Sequence, residues 1–256
     1  MQYLQAIFLG VVQGLTEWLP ISSSGHLVII QNSLGIKAPL VFDILLHFGT
    51  LLAVFALFWQ DIFKIILSLI RLDFSSEHGK LTKYIIIGSI PIAVVGYLLH
   101  DFFASLFNSS TSVGFALLIT GVVIYFSKFH RESRVLDAKE SLLIGIAQAI
   151  AIVPGISRSG FTITAGLLRG VERREVFRYS FLLSIPAIIG ANVFEFTRVS
   201  WVELEIGSML VGTLVAALVG YFSLKLVMRL ILNRKFYFFS FYCVALGLLI
   251  LATNLL

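Results

Sequence analysis

Two short stretches hold most of the side chains able to do chemistry. The first runs from Gln13 through Glu17, Pro20, Ser22, Ser23, Ser24 and Gly25 to His26. The second runs from Pro154 through Gly155, Ser157, Arg158, Ser159 and Gly160 to Thr162. Glycine lets a backbone approach a ligand closely. A helix that restarts after a break presents free N–H groups and a positive dipole end. Hydroxyls from Ser22, Ser24, Ser157, Ser159 and Thr162, with the fork of Arg158 and the backbones of Gly25, Gly155 and Gly160, make an anion cradle whose natural guest is phosphate. The simpler reading of such serines is capping of broken helices. Gln13 and Glu17, four apart, share one helix face. Their oxygens suit a hard divalent cation such as magnesium or calcium, completed by phosphate oxygens and water; an ordinary polar face is the alternative. His26 titrates near neutrality and can serve as acid or base, with Ser23 as the nucleophile it activates, or it is a hydrogen-bonded structural residue. Asp43 and His47, one turn apart at the start of the next span, suit either the lining of an entrance or end-of-helix polarity, and are left out of the site.

The elements that carry these residues follow from composition. Of 256 residues, 58% are hydrophobic and 13% charged, about half the charge of an ordinary soluble domain. No soluble fold of this size hides so much apolar surface, so the chain reads as an integral membrane protein. The same composition excludes disorder, a collagen, a disulfide scaffold and a nucleic-acid-binding module. The net charge of +5 sits in short loops, where it sets orientation. The single cysteine, Cys243, lies in an apolar run and reads as a packed, inert thiol. The first basic residue is Lys37, so no cleaved signal peptide is expected and the N-terminus is placed outside the cytoplasm.

Six uncharged stretches approach the roughly 20 residues of a helical span: 44–60, 84–101, 102–127, 179–194, 206–224 and 236–256, with a hinge at His100, Asp101 and 108–112. Four basic groups, around Lys64–Lys83, Lys128–Lys139, Arg169–Arg178 and Lys225–Lys235, belong in the cytoplasm. The chain is therefore inside at Lys139 and again at Arg169, which makes 141–168 a re-entrant hairpin. The segment 1–36 reads as a second hairpin from the outer face; two full crossings fit its charges equally well. Ionised groups at such depth cost at least about 2.5–3.5 kcal/mol each, so Glu17 and Arg158 must face a partner, a polar cavity or a ligand. If the hairpins meet tip to tip, they share one site; a structural ion pair is the alternative.

Gly10, Gln13, Ile21, Ser22, Ser24 and Gly25 recur 135 residues later as Gly145, Gln148, Ile156, Ser157, Ser159 and Gly160. Each copy precedes three spans, an odd number, so the second is upside down. The fold expected is an all-α polytopic membrane protein: one membrane domain, an inverted-topology repeat (about 1–130 and 136–256), six spanning helices and two re-entrant helical hairpins.

The two motifs resemble those of the bacterial undecaprenyl pyrophosphate phosphatases of the bacitracin-resistance type. The pattern (E/Q)xxxE stands as Gln13–Glu17, and PGxSRSxxT stands complete as Pro154–Thr162. The resemblance implies hydrolysis of a polyprenyl diphosphate lipid to the monophosphate and phosphate, with a divalent cation, in the bacterial inner membrane and on its periplasmic side. It implies Gln13 and Glu17 as metal or acid–base residues, His26 as catalytic, Ser23 as nucleophile, and Arg158, Ser157, Ser159 and Thr162 as the cradle. Attack by Ser23 and direct attack by water both remain open. The partners are the lipid substrate and membrane lipids, with room for a homodimer and none for nucleic acid. The rival is a flippase or anion transporter, since broken helices at an inverted-repeat interface are transporter architecture; a serine–histidine–glutamate cluster exceeds what binding alone requires.

Overall fold

The computed structural model describes residues 2–99, 102–103, 106, 109–197 and 205–255. The parts of the expected hinge at His100, Asp101 and Asn108 lie outside these residues. Among those described, the chain forms ten α-helices. The first half contains α1 (Tyr3–Trp18), α2 (Ser23–Leu34), α3 (Leu40–Ile70), α4 (Glu77–Leu98) and α5 (Ser110–Tyr125). The second contains α6 (Ala138–Ile150), α7 (Arg158–Leu168), α8 (Arg173–Phe196), α9 (Ile206–Leu232) and α10 (Phe239–Leu255). Six of them, α3, α4, α5 with its continuation to Phe129, α8, α9 and α10 with the turn from Phe236, are long and apolar enough to cross a membrane. The chain is an all-α, polytopic membrane protein.

The spans are longer than their apolar cores. The first was bounded at 44–60 by charge, yet α3 runs from Leu40 to Ile70 and carries Asp43, Asp61 and Lys64. The second begins at Glu77, seven residues before the uncharged stretch, and the fourth at Arg173. The fifth continues from Leu224 to Leu232. Charged side chains are good enough helix formers to prolong a helix past the apolar slab into water. The third span is shorter than its expected start at 102, because Ser109 caps a helix beginning at Ser110 by accepting from the Ser112 N–H.

The four basic groups gather at one end of the molecule. Arg178 of α8 donates to Asp61 of α3 (2.5 Å) and Glu77 of α4 (3.3 Å). Lys128 lies 5.6 Å above the Tyr237 ring, just before α10. At the same end, Glu140 at the foot of α6 accepts from Arg134 (2.9 Å) and from Arg169 (2.6 and 3.0 Å), the residue that ends α7. The Arg169 and Arg134 guanidiniums hold its carboxyl below the ordinary carboxylate range, against the cost of burial. This clasp joins the two feet of the second hairpin, so α6 and α7 enter and leave by one face. The first hairpin also returns: Ile36 and Ala38, after α2, pack on the cluster built from Ala6, Leu9 and Val12 of α1.

The two halves pack alike. Gly10 of α1 faces Gly212 of α9 so closely that an added Cβ would strike the Gly212 carbonyl; Gly145 of α6 stands in the same relation to Gly88 of α4. Each hairpin's first helix is thus seated against the middle span of the other half through a glycine pair. Filling that contact should therefore unseat a hairpin. Gly145→Val is expected to lower the unfolding temperature of the detergent-purified protein, with a cost of about 1–3 kcal/mol or more. A Gly190→Ala control, at a helical site with open space, should leave it unchanged.

Candidate active site

Both breaks are dictated locally. Leu19, ahead of Pro20, is pushed to extended geometry (ψ 144°), which ends α1 at Trp18. Ser22 then takes φ +66°, on the side of backbone space that L-residues rarely adopt, and its hydroxyl accepts the Gly25 N–H (3.3 Å) to start α2. In the second break Gly155 has φ +93°, and a Cβ there would meet Ala116 and the Val113 carbonyl of α5. The Thr120 hydroxyl donates to the Gly155 carbonyl and accepts from the Ser157 N–H, both at 3.2 Å. Ser157 accepts the Gly160 N–H (3.1 Å) and starts α7. Ser22 lies 3.3 Å from Ser24, and Ser157 lies 3.3 Å from Ser159, hydroxyl to hydroxyl. The Ser159 hydroxyl also donates to the Leu19 carbonyl (3.3 Å), which ties the two breaks together.

Between them sit the charges. Arg158 Nη2 donates to Glu17 Oε1 at 2.5 Å, and the Arg158 guanidinium lies 5.4 Å over the Trp18 ring. Glu17 Oε2 accepts from Ser23 Oγ (2.5 Å) and from Gln13 Nε2 (3.0 Å). One carboxylate thus collects a guanidinium from α7, a hydroxyl from α2 and an amide from its own helix. Arg158 Nη1 points toward the Ser184 carbonyl of α8 at 3.5 Å. These bonds leave guanidinium N–H groups over for an anion.

The side chains differ from expectation in three ways. The sequence pairs Ser23 with His26 as its base, but the Ser23 proton is directed at Glu17. Both His26 nitrogens are occupied elsewhere: Nδ1 lies 2.8 Å from the Ser22 carbonyl, and Nε2 lies 2.7 Å from the Tyr242 hydroxyl of α10. The Thr162 hydroxyl, expected in the cradle, is turned to Ser180 of α8 (2.5 Å) and to the Arg158 carbonyl (2.9 Å), so it braces α7 against α8. His47, left out of the site because span-end polarity explains it as well as an entrance does, brings Nε2 to 3.6 Å from Glu17 Oε2 while Nδ1 faces the Asp43 carbonyl at 2.8 Å. Its signal was present in the sequence: Asp43 and His47 one turn apart in an apolar helix. Tyr242 gave none, being one aromatic among many in α10.

A divalent cation finds suitable donors here. Gln13 is fully buried, and its Oε1 has no hydrogen-bond partner among the described residues although its Nε2 is engaged by Glu17. A buried orphan carbonyl beside a carboxylate is the kind of pair that, with phosphate oxygens, coordinates a hard cation. Among the described residues no group of three or more His, Cys, Asp or Glu could hold a metal by itself, so any ion there depends on the anion for the rest of its shell.

Comparison with known proteins follows the same lines. Residues 6–249 match the model of the family described as bacitracin resistance protein BacA. A protein named undecaprenyl-diphosphatase from Korarchaeum cryptofilum is 44% identical, over 98% of this chain and 99% of its own. One of that name from Halothermothrix orenii is 42% identical over 98% of each. Another from Carboxydothermus hydrogenoformans is 40% identical over 98% of this chain and 97% of its own.

The ion pair makes a sharp stability prediction. Glu17→Met leaves a largely buried guanidinium that cannot deprotonate, which costs up to about 3–5 kcal/mol. The double variant Glu17→Met with Arg158→Met should recover most of that loss when both are compared by thermal unfolding in detergent. A double variant as unstable as the single would mean that the pair stabilises the fold in its own right.

Proposed function

The chain belongs to the bacitracin resistance protein BacA family, and from that membership we propose that it is an undecaprenyl-diphosphatase, hydrolysing the diphosphate of a polyprenyl lipid carrier to the monophosphate and phosphate. In this reading it recycles the carrier used in cell-wall synthesis and confers bacitracin resistance. The observation that carries the site assignment is the triple junction on Glu17, where the base, the hydroxyl and the cation needed for phosphoryl transfer converge from three helices.

The lipid tail stays in the bilayer, and the diphosphate enters between the N-termini of α2 and α7. There the free N–H groups of both helices and the hydroxyls of Ser22, Ser24, Ser157 and Ser159 receive it. Arg158 exchanges the Glu17 carboxylate for phosphoryl oxygens. This neutralises charge on the transferring group and frees Glu17 to act as a base. Ser23 Oγ attacks the terminal phosphorus and gives its proton to Glu17. The anhydride P–O bond breaks, and its electron pair leaves with undecaprenyl phosphate. Water then attacks the phosphoserine; its proton passes to His26, Glu17 returns the stored proton to Ser23, and phosphate departs. A divalent cation held by Gln13 Oε1 and Glu17, with the diphosphate oxygens, would add charge neutralisation. The basic loops orient the protein in the cytoplasmic membrane with the mouth of the site, near α2 and the start of α3, on the outer face. Hydrolysis is favoured over transport because a hydroxyl donated to a carboxylate serves nucleophilic attack and is superfluous for holding an anion.

The test is phosphate release from undecaprenyl or farnesyl diphosphate in detergent, with and without chelator. Glu17→Ala, Ser23→Ala and Arg158→Ala are each expected to lose about 10²–10⁴-fold in turnover. His26→Ala should stall the second step, so phosphoserine accumulates at Ser23. Full turnover by Ser23→Ala would replace the covalent route with direct attack by water, and chelation without effect would remove the cation.

A further inference from the structure

The His26 ring has one hydrogen and one lone pair when neutral. A carbonyl only accepts, so the 2.8 Å contact between Nδ1 and the Ser22 carbonyl places the hydrogen on Nδ1. The lone pair is then on Nε2, where Tyr242 Oη approaches to 2.7 Å and must donate. The two rings stack almost parallel, 8° apart with centroids at 5.7 Å. His26 is buried, while Tyr242 is nearly half exposed on α10. The other titratable group of α10 at this point, Cys243, turns its Sγ to the Pro20 carbonyl (3.4 Å). On α1, Glu17 is engaged by Arg158, Ser23 and Gln13.

This arrangement has a consequence for any reaction in which His26 takes up a proton. The proton can arrive only at Nε2, and Tyr242 covers it. Once there, it turns a buried ring into a cation whose new N–H needs an acceptor, since an unpaired charged donor at this burial is far more costly than a neutral one. A tyrosine hydroxyl both donates and accepts, so Tyr242 fits both states: donor to the neutral ring, acceptor from the charged one.

We propose that Tyr242 is a proton-relay residue of the phosphatase site, which passes the proton of the attacking water to His26 and holds the protonated ring. Tyr242 Oη takes that proton as it passes its own to Nε2, then rotates to accept the Nε2–H; tyrosine ends unchanged and His26 carries the charge. The proposal rests on the phosphatase reading and on a proton-accepting His26.

The experiment compares wild type, Tyr242→Phe, Tyr242→Gln and His26→Asn for release of phosphate from farnesyl diphosphate across pH, with histidine-selective NMR titration of the resting proteins. Charge-assisted hydrogen bonds are the stronger kind, so losing the hydroxyl disfavours the charged ring more than the neutral one. Tyr242→Phe should cut kcat about tenfold with KM within about twofold, the size of one lost hydrogen bond to a charged group. The limb of the profile that is missing in His26→Asn should move to lower pH by on the order of one unit, and the His26 resonance should titrate lower by as much. Tyr242→Gln, whose amide oxygen still accepts, should restore at least half of that displacement, and it carries the test alone if the Phe variant fails to assemble, by keeping its limb near the wild-type position. A limb and resonance unmoved in Tyr242→Phe, or a loss confined to KM or to unfolding temperature, would overturn the role of Tyr242. A wild-type chain that turns over no diphosphate would overturn the phosphatase reading instead, while the NMR titration still decides whether Tyr242 supports the charged ring.

Discussion

A guanidinium and a carboxylate that meet within an apolar slab constrain nearly everything else in this molecule. Neither Glu17 nor Arg158 is stable there alone, and neither lies on one of the six spanning helices. Bringing them together takes two chains that stop, turn and restart at depth. The turn at Pro20–Ser22 and the turn at Pro154–Ser157 are the local means. The restart is as useful as the stop: α2 and α7 each begin beside the pair, so two sets of unbonded N–H groups face the same small volume. The glycine contacts with α9 and α4, and the Glu140 clasp, hold the hairpins at the depth where the charges can find each other.

The internal repeat built a symmetric frame and then divided the chemistry unevenly. The capping contacts are the same in both copies, Ser22 with Gly25 and Ser157 with Gly160. The reactive positions are not. The equivalent of Glu17 is Ile152, that of Ser23 is Arg158, and that of His26 is Phe161. Gln13 keeps its counterpart in Gln148, but without a carboxylate one turn on, Gln148 is buried with both amide atoms unpartnered among the described residues. Ser23 and Arg158 occupy matching positions and approach the same carboxylate from opposite sides, one as proton donor and one as cation. Each repeat thus supplies half of a charge-separated site that neither could form alone.

Much of this was legible in the sequence. Composition gave the membrane, the positive loops gave the hairpin of α6 and α7, and the cost of intramembrane charge pointed to Glu17 and Arg158 as partners. Span ends were harder to read. Hydropathy tracks the slab, whereas helices such as α3 and α4 run on into water with Lys64 or Glu77 aboard. The wiring of the side chains was harder still. Proximity in sequence suggested Ser23 with His26, but both lie in the first turn of α2 and diverge around it, toward α1 and α10. The partner that matters to His26 is 216 residues away, on a helix whose aromatic content hides it. His47 was visible but discounted, because a polar pair near a span end has an ordinary explanation until the third partner, Glu17, is in place.

In the proposed mechanism that divergence gives the two steps of the reaction separate bases. Phosphoryl transfer to Ser23 needs a base only while Arg158 is drawn to the diphosphate, and Glu17 becomes free at that moment. In that mechanism its loss of a cation and its gain of basicity are one event, and the ion pair seen here with the Ser23 hydroxyl on the same carboxylate is the state that waits for an anion to compete for the arginine. Hydrolysis of the phosphoserine starts with Glu17 already protonated, and a second base is then required. His26, whose Nδ1 faces the Ser22 carbonyl and whose Nε2 lone pair faces Tyr242, is the base in reserve for it. Had His26 been the partner of Ser23, the serine would have been activated with or without substrate, and Glu17 would have had no task beyond balancing charge. Placing the carboxylate at the junction instead couples attack to the arrival of the phosphate it serves.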